Sequence, residues 1–460
     1  MECMLIDFAV KNSGSFKEEA HWSFERSGSA DNVVPSLTKA SAGWDLTLSA
    51  VTAVLGANAS GKTQLLDALK TAVTNVVQPE EDPLEASPFL LDKVSRREPT
   101  TFSLTFCLPG RIRDSDLNEY QYTYSIQGGR VMEERLSYVP LKGRRTERLL
   151  FERRTHERAP SNERGRFHQV GDEWYRWGVD LKGQKKVIAG LTAPTRLYLS
   201  EIAAAPASSV RNVLDWFASG IRFYPAVAFE SEFDRVKDRL RQRSDDFRNK
   251  MSNYLVSADL GITGVRLARL SEDEVSAARR MWEEVSERFN GDLPFDIDQM
   301  VESQAWSVHM THSGDSGDSY SIPLETESRG TQAMLSFASI VIDALESGAT
   351  IVVDEIDASL HPLQVRHLIR QFADPQANPN QAQLIFTTHD ATLLLNKPGL
   401  PRLLARDQIW LTEKDTHGES TLYSLADYSP RKEDDLFSRY LQGAYGGISR
   451  PRSTSLWDSL

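Results

Sequence analysis

The chain has 460 residues, of which 40% are hydrophobic and 26% are charged, as is ordinary for a soluble globular protein. Its net charge of −12 excludes a protein that binds nucleic acid over its whole surface, so any such contact would need a local patch. The two cysteines, Cys3 and Cys107, lack partner spacing, which argues against a disulfide framework and predicts a reducing, cytoplasmic location. No apolar run approaches the roughly 20 residues of a membrane span, so we expect no membrane contact.

The first half of the chain is predicted to form strands around one helix. Its β-rich segments are "MLIDFAV", "EAHWSFE", "WDLTLSAVTAVLG", "TTFSLTFCL", "YQYTYSIQ" and "RVMEERLSYV". The third of these carries a strand into a glycine-bounded loop, and a helix follows from about residue 62 to 77. The last three alternate between apolar and polar residues, which predicts an antiparallel sheet.

Residues 142–166 form a basic segment, with nine Lys or Arg residues against four Glu. Two interpretations are open. The segment is either a solvated hairpin and loop, or a patch for nucleic acid or a protein partner, because such a positive run stands out in an acidic chain.

The second half of the chain begins with helical patterns, and we expect a compact helical insertion from about residue 206 to 290. Its apolar spacing is too irregular for a sustained coiled coil. Further elements follow in the order strand "QAWSVHMTH", strand "SYSIPLE", helix from about 330 to 346, strand "ATIVVDEID", helix "HPLQVRHLIRQFA" and strand "AQLIFTTHD". We expect the last two strands to lie parallel to the strand before the glycine-bounded loop. The C-terminal "GGISRPRSTSLWDSL" looks like a loose tail.

The glycine-bounded loop carries the first functional motif. Gly56, Gly61, Lys62 and Thr63 fit the pattern G-x-x-x-x-G-K-[ST], between an apolar strand and an apolar-periodic helix. Glycines let main-chain N–H groups approach phosphate oxygens, and the helix N-terminus adds a favourable dipole. Lys62 would reach the β- and γ-phosphates, and the Thr63 hydroxyl would bind Mg²⁺. The motif predicts a nucleoside triphosphate site.

A pair of acids ends the buried strand at residues 351–353. Ligands of open α/β sheets lie at the carboxyl ends of strands, so Asp354 and Glu355 would both be delivered to that site. Asp354 suits Mg²⁺, directly or through water, and Glu355 suits polarisation of the attacking water. The alternative is a solvated pair of acids at a strand end.

Two further elements complete the pattern. His389 follows the apolar strand at 384–386, where it could form a hydrogen bond with a γ-phosphate. Ser328, Gly330 and Thr331 open a long apolar helix, whose N-terminus offers N–H groups and a hydroxyl to an anion. Because one nucleotide already has its P-loop, we expect this helix to cap the nucleotide of a second subunit; an ordinary Ser/Thr cap is the alternative. "HMTH", with His309 and His312, is not metal spacing on a helix.

This order of motifs resembles the ABC-type ATPases, in the branch shared with SMC and OLD proteins. The match is closer to single-chain AAA/ABC ATPases of the RloA/AbiL abortive-infection type. The resemblance spans nearly the whole chain and is carried by "FAVKNSGSFKEE", "GANASGKTQLLDAL", "YLVSADLGI", "SRGTQ", "VVDEIDASLHP", "TTHD" and "SRYLQGAYGGI". One departure is "SRGTQ" itself, in which Arg329 fills a position that is often glycine.

The resemblance implies an α/β fold: an ABC-type P-loop NTPase head with a parallel-sheet core, an antiparallel β subdomain and a helical insertion. The implied segments are an N-terminal ATPase lobe at 1–200, the insertion at 201–300, a C-terminal ATPase lobe at 301–430 and a tail at 431–460. The implied catalytic residues are Glu355, His389 and Lys62, and the implied metal ligands are Thr63 and Asp354. The implied cofactor-binding residues are Gly56, Asn58, Ala59, Ser60, Gly61, Lys62, Thr63, Gln64, Ser328, Gly330 and Thr331, with Ser359 and Leu360 resembling the D-loop.

The resemblance also implies a function, an ATPase that uses ATP and Mg²⁺ and forms a homodimer through an ATP sandwich. Such proteins are commonly encoded beside an effector, often an RloB-like or TOPRIM-type nuclease, in antiphage systems. The 71 residues after His389 lack the carboxylate set of a two-metal nuclease, so we expect no nuclease centre in this chain. The first hypothesis is that this chain is the sensor or switch subunit of such an antiphage system. It would be triggered by nucleic acid or a phage protein and would control the effector.

Two alternatives stay open. An SMC-like ATPase for DNA repair or restriction would use residues 142–166 and the arginines of 235–248 on backbone phosphates, although the acidic charge and short insertion favour the first hypothesis. An idle scaffold would only bind nucleotide, against which the intact Glu355 argues.

Overall fold

The structure is a computed structural model that describes residues 3–26, 37–41, 44–78, 82–110, 117–141, 145–155, 167–225, 233–243, 245–257, 261–288, 296–315, 317–358, 360–428 and 434–448. The chain divides into two compact units. The first unit consists of Met1–Tyr224, Ala344–Asp357 and Leu368–Leu460, and the second of Pro225–Asp343 and Ala358–His367. The division into four segments that we expect from the sequence, at 1–200, 201–300, 301–430 and 431–460, stays a prediction.

The first unit contains an antiparallel sheet, with eight strands in the described part of the chain. Tyr120, Tyr122 and Tyr124 alternate along one strand and are all fully buried, whereas Gln121 between them is exposed. This alternation buries one face of the sheet in the core, as the sequence pattern predicts. In sheet order the strands are β10 (His168–Val170), β11 (Glu173–Trp177), β9 (Arg148–Arg154), β8 (Arg130–Pro140), β7 (Asn118–Gln127), β6 (Thr100–Leu108), β1 (Met4–Lys11) and β2 (Ala20–Ser23). A two-stranded sheet pairs β3 (Leu37–Ser41) with β4 (Trp44–Leu48).

A buried ion cluster ties the end of this sheet to the following helix. The Arg153 guanidinium donates to both carboxylate oxygens of Glu173, at 2.8 and 2.7 Å, and is fully buried. Glu134, also fully buried, accepts main-chain N–H groups of Tyr198 and Leu199 at 2.7 and 2.8 Å. Paired in this way, these charges are satisfied inside the unit.

The ion cluster includes Arg153, which belongs to the basic segment at 142–166. Its described part, residues 145–155, contains β9, and Arg153 there is buried against Glu173 and inaccessible to a nucleic acid. Arg154 pairs with Glu152 on the same strand. Residues 142–144 and 156–166 of the segment lie outside the described residues. Both interpretations of the segment, a solvated loop and a binding patch, therefore stay predictions.

A second sheet of the first unit is mostly parallel. Its order is β12 (Ile221–Tyr224), β16 (Thr350–Val353), β17 (Gln383–Thr388), β5 (Val51–Gly56), β18 (Ile409–Lys414) and β19 (Ser420–Ser424), and all neighbouring pairs are parallel except β18 with β19. Every residue of β5, β16 and β17 is buried, as is usual for parallel strands covered on both faces. The expected α/β architecture, with parallel β5, β16 and β17 and a separate antiparallel sheet, is confirmed.

Helices of the first unit cover these sheets. They are α1 (Lys62–Val77), α2 (Lys185–Leu191), α3 (Tyr198–Ala204), α4 (Arg211–Ser219) and α11 (Leu436–Leu441). The bounds of α1 are those predicted. Leu65, Leu69, Ala72 and Val76 are buried at the spacing of one helical face, which packs α1 against α3, α4 and β1.

The second unit combines a small antiparallel sheet with helices. The strands are β13 (Ile262–Arg269), β14 (Trp306–Ser313) and β15 (Ser319–Pro323), in that order. The helices are α5 (Phe233–Gln242), α6 (Asp245–Ser257), α7 (Glu272–Arg288) and α8 (Ile297–Gln304), with most of α9 (Arg329–Ser347) and the first half of α10 (Pro362–Ala373).

Three expectations about elements were wrong. The region from 206 to 290 is not purely helical, because it contains β12, which completes the parallel sheet next to β16, and β13. "WDLTLSAVTAVLG" is two strands, β4 and β5, rather than one. The loose tail was expected to begin at Gly446, but Gly446 and Gly447 lie against β18. In each case contacts between residues far apart in sequence decided the local structure.

Candidate functional site

The predicted P-loop is a tight left-handed turn that leads into a helix. β5 ends at Gly56 and α1 begins at Lys62, with Ala59 at φ 60° and Gly61 at φ 114°. A Cβ atom at Gly56 would lie 2.7 Å from the carbonyl oxygen of Thr412, so only glycine fits there. α1 has 16 residues, and the first main-chain N–H groups of a helix have no acceptor within it, which makes its N-terminus a candidate anion site.

Short polar side chains hold this loop in place from the neighbouring strands. The hydroxyl oxygens of Ser60 and Thr412 are 2.6 Å apart, and Ser60 is buried. The hydroxyl of Ser420 lies 2.8 Å from both the Ser60 carbonyl oxygen and the Ser15 hydroxyl. The sequence analysis missed Thr412, Ser420 and Ser15, because isolated hydroxyls far apart in sequence form no motif.

Lys62 is folded back over the loop. Its Nζ donates to the carbonyl oxygens of Gly56 at 2.8 Å and Ala57 at 2.9 Å, and lies 3.4 Å from His389 Nδ1. Burial lowers the pKa of Lys62, and the charges of Glu355 and nearby aspartates oppose this shift. These two acceptors are neutral, so an anionic phosphate oxygen would be a stronger partner for the ammonium group.

Thr63 and Asp354 form the candidate Mg²⁺ site. The Thr63 hydroxyl donates to Asp354 Oδ2 at 2.9 Å. Neighbouring ligands of an octahedral Mg²⁺, each about 2.0–2.1 Å from the ion, also stand roughly 2.9 Å apart, so the two oxygens fit such an ion. Burial raises the pKa of Asp67, and the charge of Asp354 adds to the effect, so a cation here would relieve this repulsion. Among the described residues, no group of three or more His, Cys, Asp or Glu could hold a metal ion.

Glu355 is held in a strained conformation beside His389. Its φ of 47° is left-handed, which is uncommon for a residue with a side chain. The Glu355 N–H donates to Thr387 Oγ1 at 2.7 Å, and the Thr387 hydroxyl in turn donates to Asp354. Glu355 Oε1 lies 3.5 Å from His389 Nε2. Thr387, which the sequence analysis missed, therefore fixes both acids of the pair.

Asp357 also was not predicted, and it holds the histidine loop, which is the loop after β17 that carries His389. Its carboxylate accepts the Thr388 hydroxyl at 2.6 Å and the His389 main-chain N–H at 3.3 Å. The loop after β16, which carries Asp354, Glu355 and Asp357 and is called the acid loop, is thus hydrogen-bonded to the histidine loop. Only the "D-E-I-D" spacing could have pointed to Asp357, and that spacing has no unique meaning.

These residues surround one cavity of about 720 Å³, within the usual range for a small-molecule site. It is lined by Asn58, Ala59, Gly61, Lys62, Thr63, Gln64, Glu355, His389 and Lys414. Lys414, at the end of β18, was not predicted and adds a second ammonium group. The structure therefore brings together the predicted P-loop, acidic pair and histidine within the first unit.

The residues predicted to cap the nucleotide of a second subunit, called the signature below, belong to the second unit. They are Ser328, Gly330 and Thr331. Ser328 precedes α9, and its Oγ accepts the Thr331 N–H at 3.1 Å and lies 2.9 Å from the Thr331 hydroxyl. Arg329, the departure from the family pattern, is exposed, and Gly330 is half-buried. Ser328 is thus an N-cap in this structure, which leaves its expected contact with a second subunit as a proposal. Of the expected D-loop pair, Leu360 is buried and Ser359 lies outside the described residues.

His309 and His312 lie on β14 and have separate polar partners. His309 Nε2 is 2.7 Å from the Ser307 hydroxyl, and His309 Nδ1 is 3.2 Å from the Ser321 hydroxyl. His312 Nε2 is 2.6 Å from a carboxylate oxygen of Glu327, the residue before Ser328. His312 thereby supports the loop that leads to the signature.

Comparison with known families gives one match. A family described as "AAA domain, putative AbiEii toxin, Type IV TA system" matches residues 192–396. The matched region contains the signature, the acidic pair and His389, and it begins after the P-loop. No curated protein matches the chain. Among the helices that the structure describes, none combines the length and apolar character that crossing a bilayer requires.

Comparison with solved structures gives distant similarities. A structure described as the SMC head bound to the C-winged helix domain of ScpA is 13% identical, with a TM-score of 0.41 over 91% of this chain and 97% of that one. The SMC head domain from Thermotoga maritima is 12% identical, with a TM-score of 0.38 over 91% and 98%. The ABC transporter subunit cbiO1 from Clostridium perfringens is 13% identical, with a TM-score of 0.21 over 61% and 94%.

The bridge made by Thr387 gives a testable prediction. Thr387→Val keeps the shape of a fully buried side chain but leaves the Glu355 N–H without its acceptor and releases Asp354. Such a loss costs about 1–3 kcal/mol, so we expect hydrolysis of a nucleoside triphosphate at this site to slow by roughly tenfold to a hundredfold while the nucleotide still binds.

The measurement is the steady-state kcat beside the melting temperature. Thr123→Val is the matched control, because its hydroxyl bonds Ser103 within the antiparallel sheet. An unchanged kcat in Thr387→Val would show that the bridge does not position the acids.

Proposed function

We propose that this chain binds ATP with Mg²⁺ and hydrolyses it to ADP and phosphate. One observation carries the proposal: Lys62, Glu355 and His389 face the same cavity at the P-loop, next to the bonded pair of Thr63 and Asp354. A structural role for these groups would not require a strained glutamate or a lysine folded over main-chain carbonyls. The AAA-domain match over residues 192–396 supports the proposal.

Each residue has a role that follows from its position. The main-chain N–H groups from Gly61 to Gln64 hold the phosphates, and Lys62 exchanges its carbonyl partners for β- and γ-phosphate oxygens. Thr63 and Asp354 would hold Mg²⁺, which neutralises charge on the β- and γ-phosphates. These groups bind and orient the triphosphate before any bond changes.

Glu355 and His389 act at the end where the bond breaks. The Glu355 carboxylate, partly exposed and fixed through Thr387, orients and polarises a water for attack on the γ-phosphorus. His389 lies between Lys62 and Glu355, so it donates a hydrogen bond to the γ-phosphate as the charge develops. Asp357 keeps the histidine loop in register with Glu355.

The signature residues are proposed to act on a second copy of the chain. Ser328, Gly330 and Thr331 open the 19-residue helix α9 and would close the nucleotide site of a partner, giving a homodimer around two ATP molecules. The N-terminus of α9 presents the Ser328 hydroxyl and an exposed Arg329, groups suited to a phosphate.

The biological role is proposed from the family description. The matched family is described as "AAA domain, putative AbiEii toxin, Type IV TA system". With that description we propose that the chain is the sensor or switch of an antiphage system with a separately encoded effector, such as an RloB-like or TOPRIM-type nuclease. We propose that this chain supplies the ATPase and lacks a nuclease centre. Binding of duplex DNA with a steep salt dependence would instead favour the repair or restriction alternative.

The water-polarising role predicts the behaviour of Glu355→Gln. Glutamine keeps the size of the side chain but cannot accept a proton, so we expect kcat to fall by about a hundredfold or more with ATP affinity retained. Phosphate release and binding of a fluorescent ATP analogue measure the two effects. Glu283→Gln on the exposed face of α7 is the control, and hydrolysis by Glu355→Gln at the wild-type rate would contradict the role.

The two-copy arrangement predicts complementation between two inactive variants. Lys62→Ala destroys a P-loop and Ser328→Arg destroys a signature, so neither variant should hydrolyse ATP alone. In a mixed dimer, the intact P-loop of one chain meets the intact signature of the other, and activity should return at about a quarter of the wild-type level for an equal mixture. Mixtures that stay inactive, although native mass spectrometry shows mixed dimers, would contradict action across the dimer.

A further inference from the structure

A second cavity lies against the P-loop, and part of its wall comes from the C-terminal end of the described chain. Its volume is about 370 Å³. It is lined by Gly56, Ala57, Asn58, His389, Tyr440, Leu441, Gly447 and Ile448. Asn58 and His389 also line the nucleotide cavity, so the two cavities meet at these residues. The roles proposed above leave residues 434–448 without a task.

The segment 434–448 is anchored on both sides of that wall. Within it, the Tyr440 hydroxyl donates to the Gly447 carbonyl oxygen at 3.0 Å, and Tyr440 is buried. The Tyr423 hydroxyl of β19 donates to the Tyr445 carbonyl oxygen, also at 3.0 Å. Helix α11 packs against the short turn Ala391–Leu394, which directly follows the histidine loop. A movement of His389 would therefore reach α11 through its own loop.

Two glycines let the main chain of residues 434–448 run close to β18, the strand beside the P-loop. Gly446 and Gly447 have φ values of 68° and 65°, in the left-handed region. A Cβ at Gly446 would lie 2.5 Å from Glu413 Oε2, and one at Gly447 would lie 3.6 Å from the Thr412 carbonyl oxygen. Thr412 is the residue of β18 that pairs with Gly56 of the P-loop. The segment thus lies over the strand end that supports the loop.

We propose that residues 434–448 sense the terminal phosphate of the bound nucleotide. The proposal rests on the function proposed above, because Lys62 Nζ and His389, which are 3.4 Å apart, are both assigned there to the oxygens of that phosphate. With ATP, the phosphate fixes the histidine ring and Asn58, which form one wall of the second cavity, and the segment packs against an ordered surface. With ADP, that wall loses its anionic partner, and the segment opens more often.

Hydrogen–deuterium exchange of the full chain tests the proposal. The Glu355→Gln variant is measured with Mg²⁺ and no nucleotide, with ADP, and with ATP. We expect main-chain amides of 436–448 to exchange about tenfold more slowly with ATP than with ADP, the effect of roughly one hydrogen bond on an opening equilibrium. Equal exchange of 436–448 with ATP and ADP, while 56–64 is protected by both, would overturn the sensor alone. No protection of 56–64 by either nucleotide would overturn the proposed function and the sensor with it.

Tyr440→Phe separates sensing from simple packing. The variant keeps the ring but removes the hydroxyl that holds Gly447, so we expect the difference in exchange between ATP and ADP to fall below about twofold while 56–64 stays protected. Tyr320→Phe, at an exposed tyrosine of the second unit, is the matched control and should keep the full difference. If Tyr440→Phe keeps the full difference in exchange between ATP and ADP, the role of Tyr440 and of residues 434–448 is contradicted.

Discussion

The register of three parallel strands determines the geometry of this site. β16, β17 and β5 are neighbours, with Val353 paired to Phe386 and Thr388 paired to Leu55, so their carboxyl ends stop at the same edge of the sheet. The residues just beyond those ends are the acidic pair, the histidine and the P-loop. A slip of one residue in any strand would turn its side chains to the opposite face and would separate these groups.

Hydrogen bonds of short side chains make that arrangement rigid. Thr387 connects the main chain of Glu355 to the carboxylate of Asp354, and Asp357 connects the acid loop to the histidine loop. These bonds offset the strain of a left-handed glutamate, which only a well-fixed surrounding can maintain. Preorganisation of this kind is what electrostatic stabilisation of a transition state requires, since the groups need not move when charge develops.

The sequence was sufficient for the parts of the site that depend on local pattern. Gly56, Gly61 and Lys62 stand in a spaced motif between an apolar strand and an apolar helix, and Asp354 and Glu355 follow a short buried strand. Thr387, Asp357 and Thr412 could not be predicted, because their roles come from partners about 30 to more than 300 residues away. A threonine or aspartate has too many ordinary uses for its type alone to indicate such a partner.

The same distinction applies to the fold. The strands and helices with clear periodicity were predicted, including α1 with both its ends. β12 was missed because four residues after an amphipathic helix carry little signal, and pairing with β16 makes them a strand. "GGISRPRSTSLWDSL" was expected to be a loose tail, whereas its first two glycines lie against β18.

The central claim is that the P-loop, the Thr63–Asp354 pair and Glu355 form one Mg²⁺-dependent ATPase site. The most direct measurement is single-turnover phosphate release by the wild-type chain, with Mg²⁺ and after its removal by a chelator. We expect one phosphate to be released per bound ATP with Mg²⁺, and no release without it. Release that continues without a divalent cation, or ATP that binds with Mg²⁺ and is never cleaved, would contradict the account.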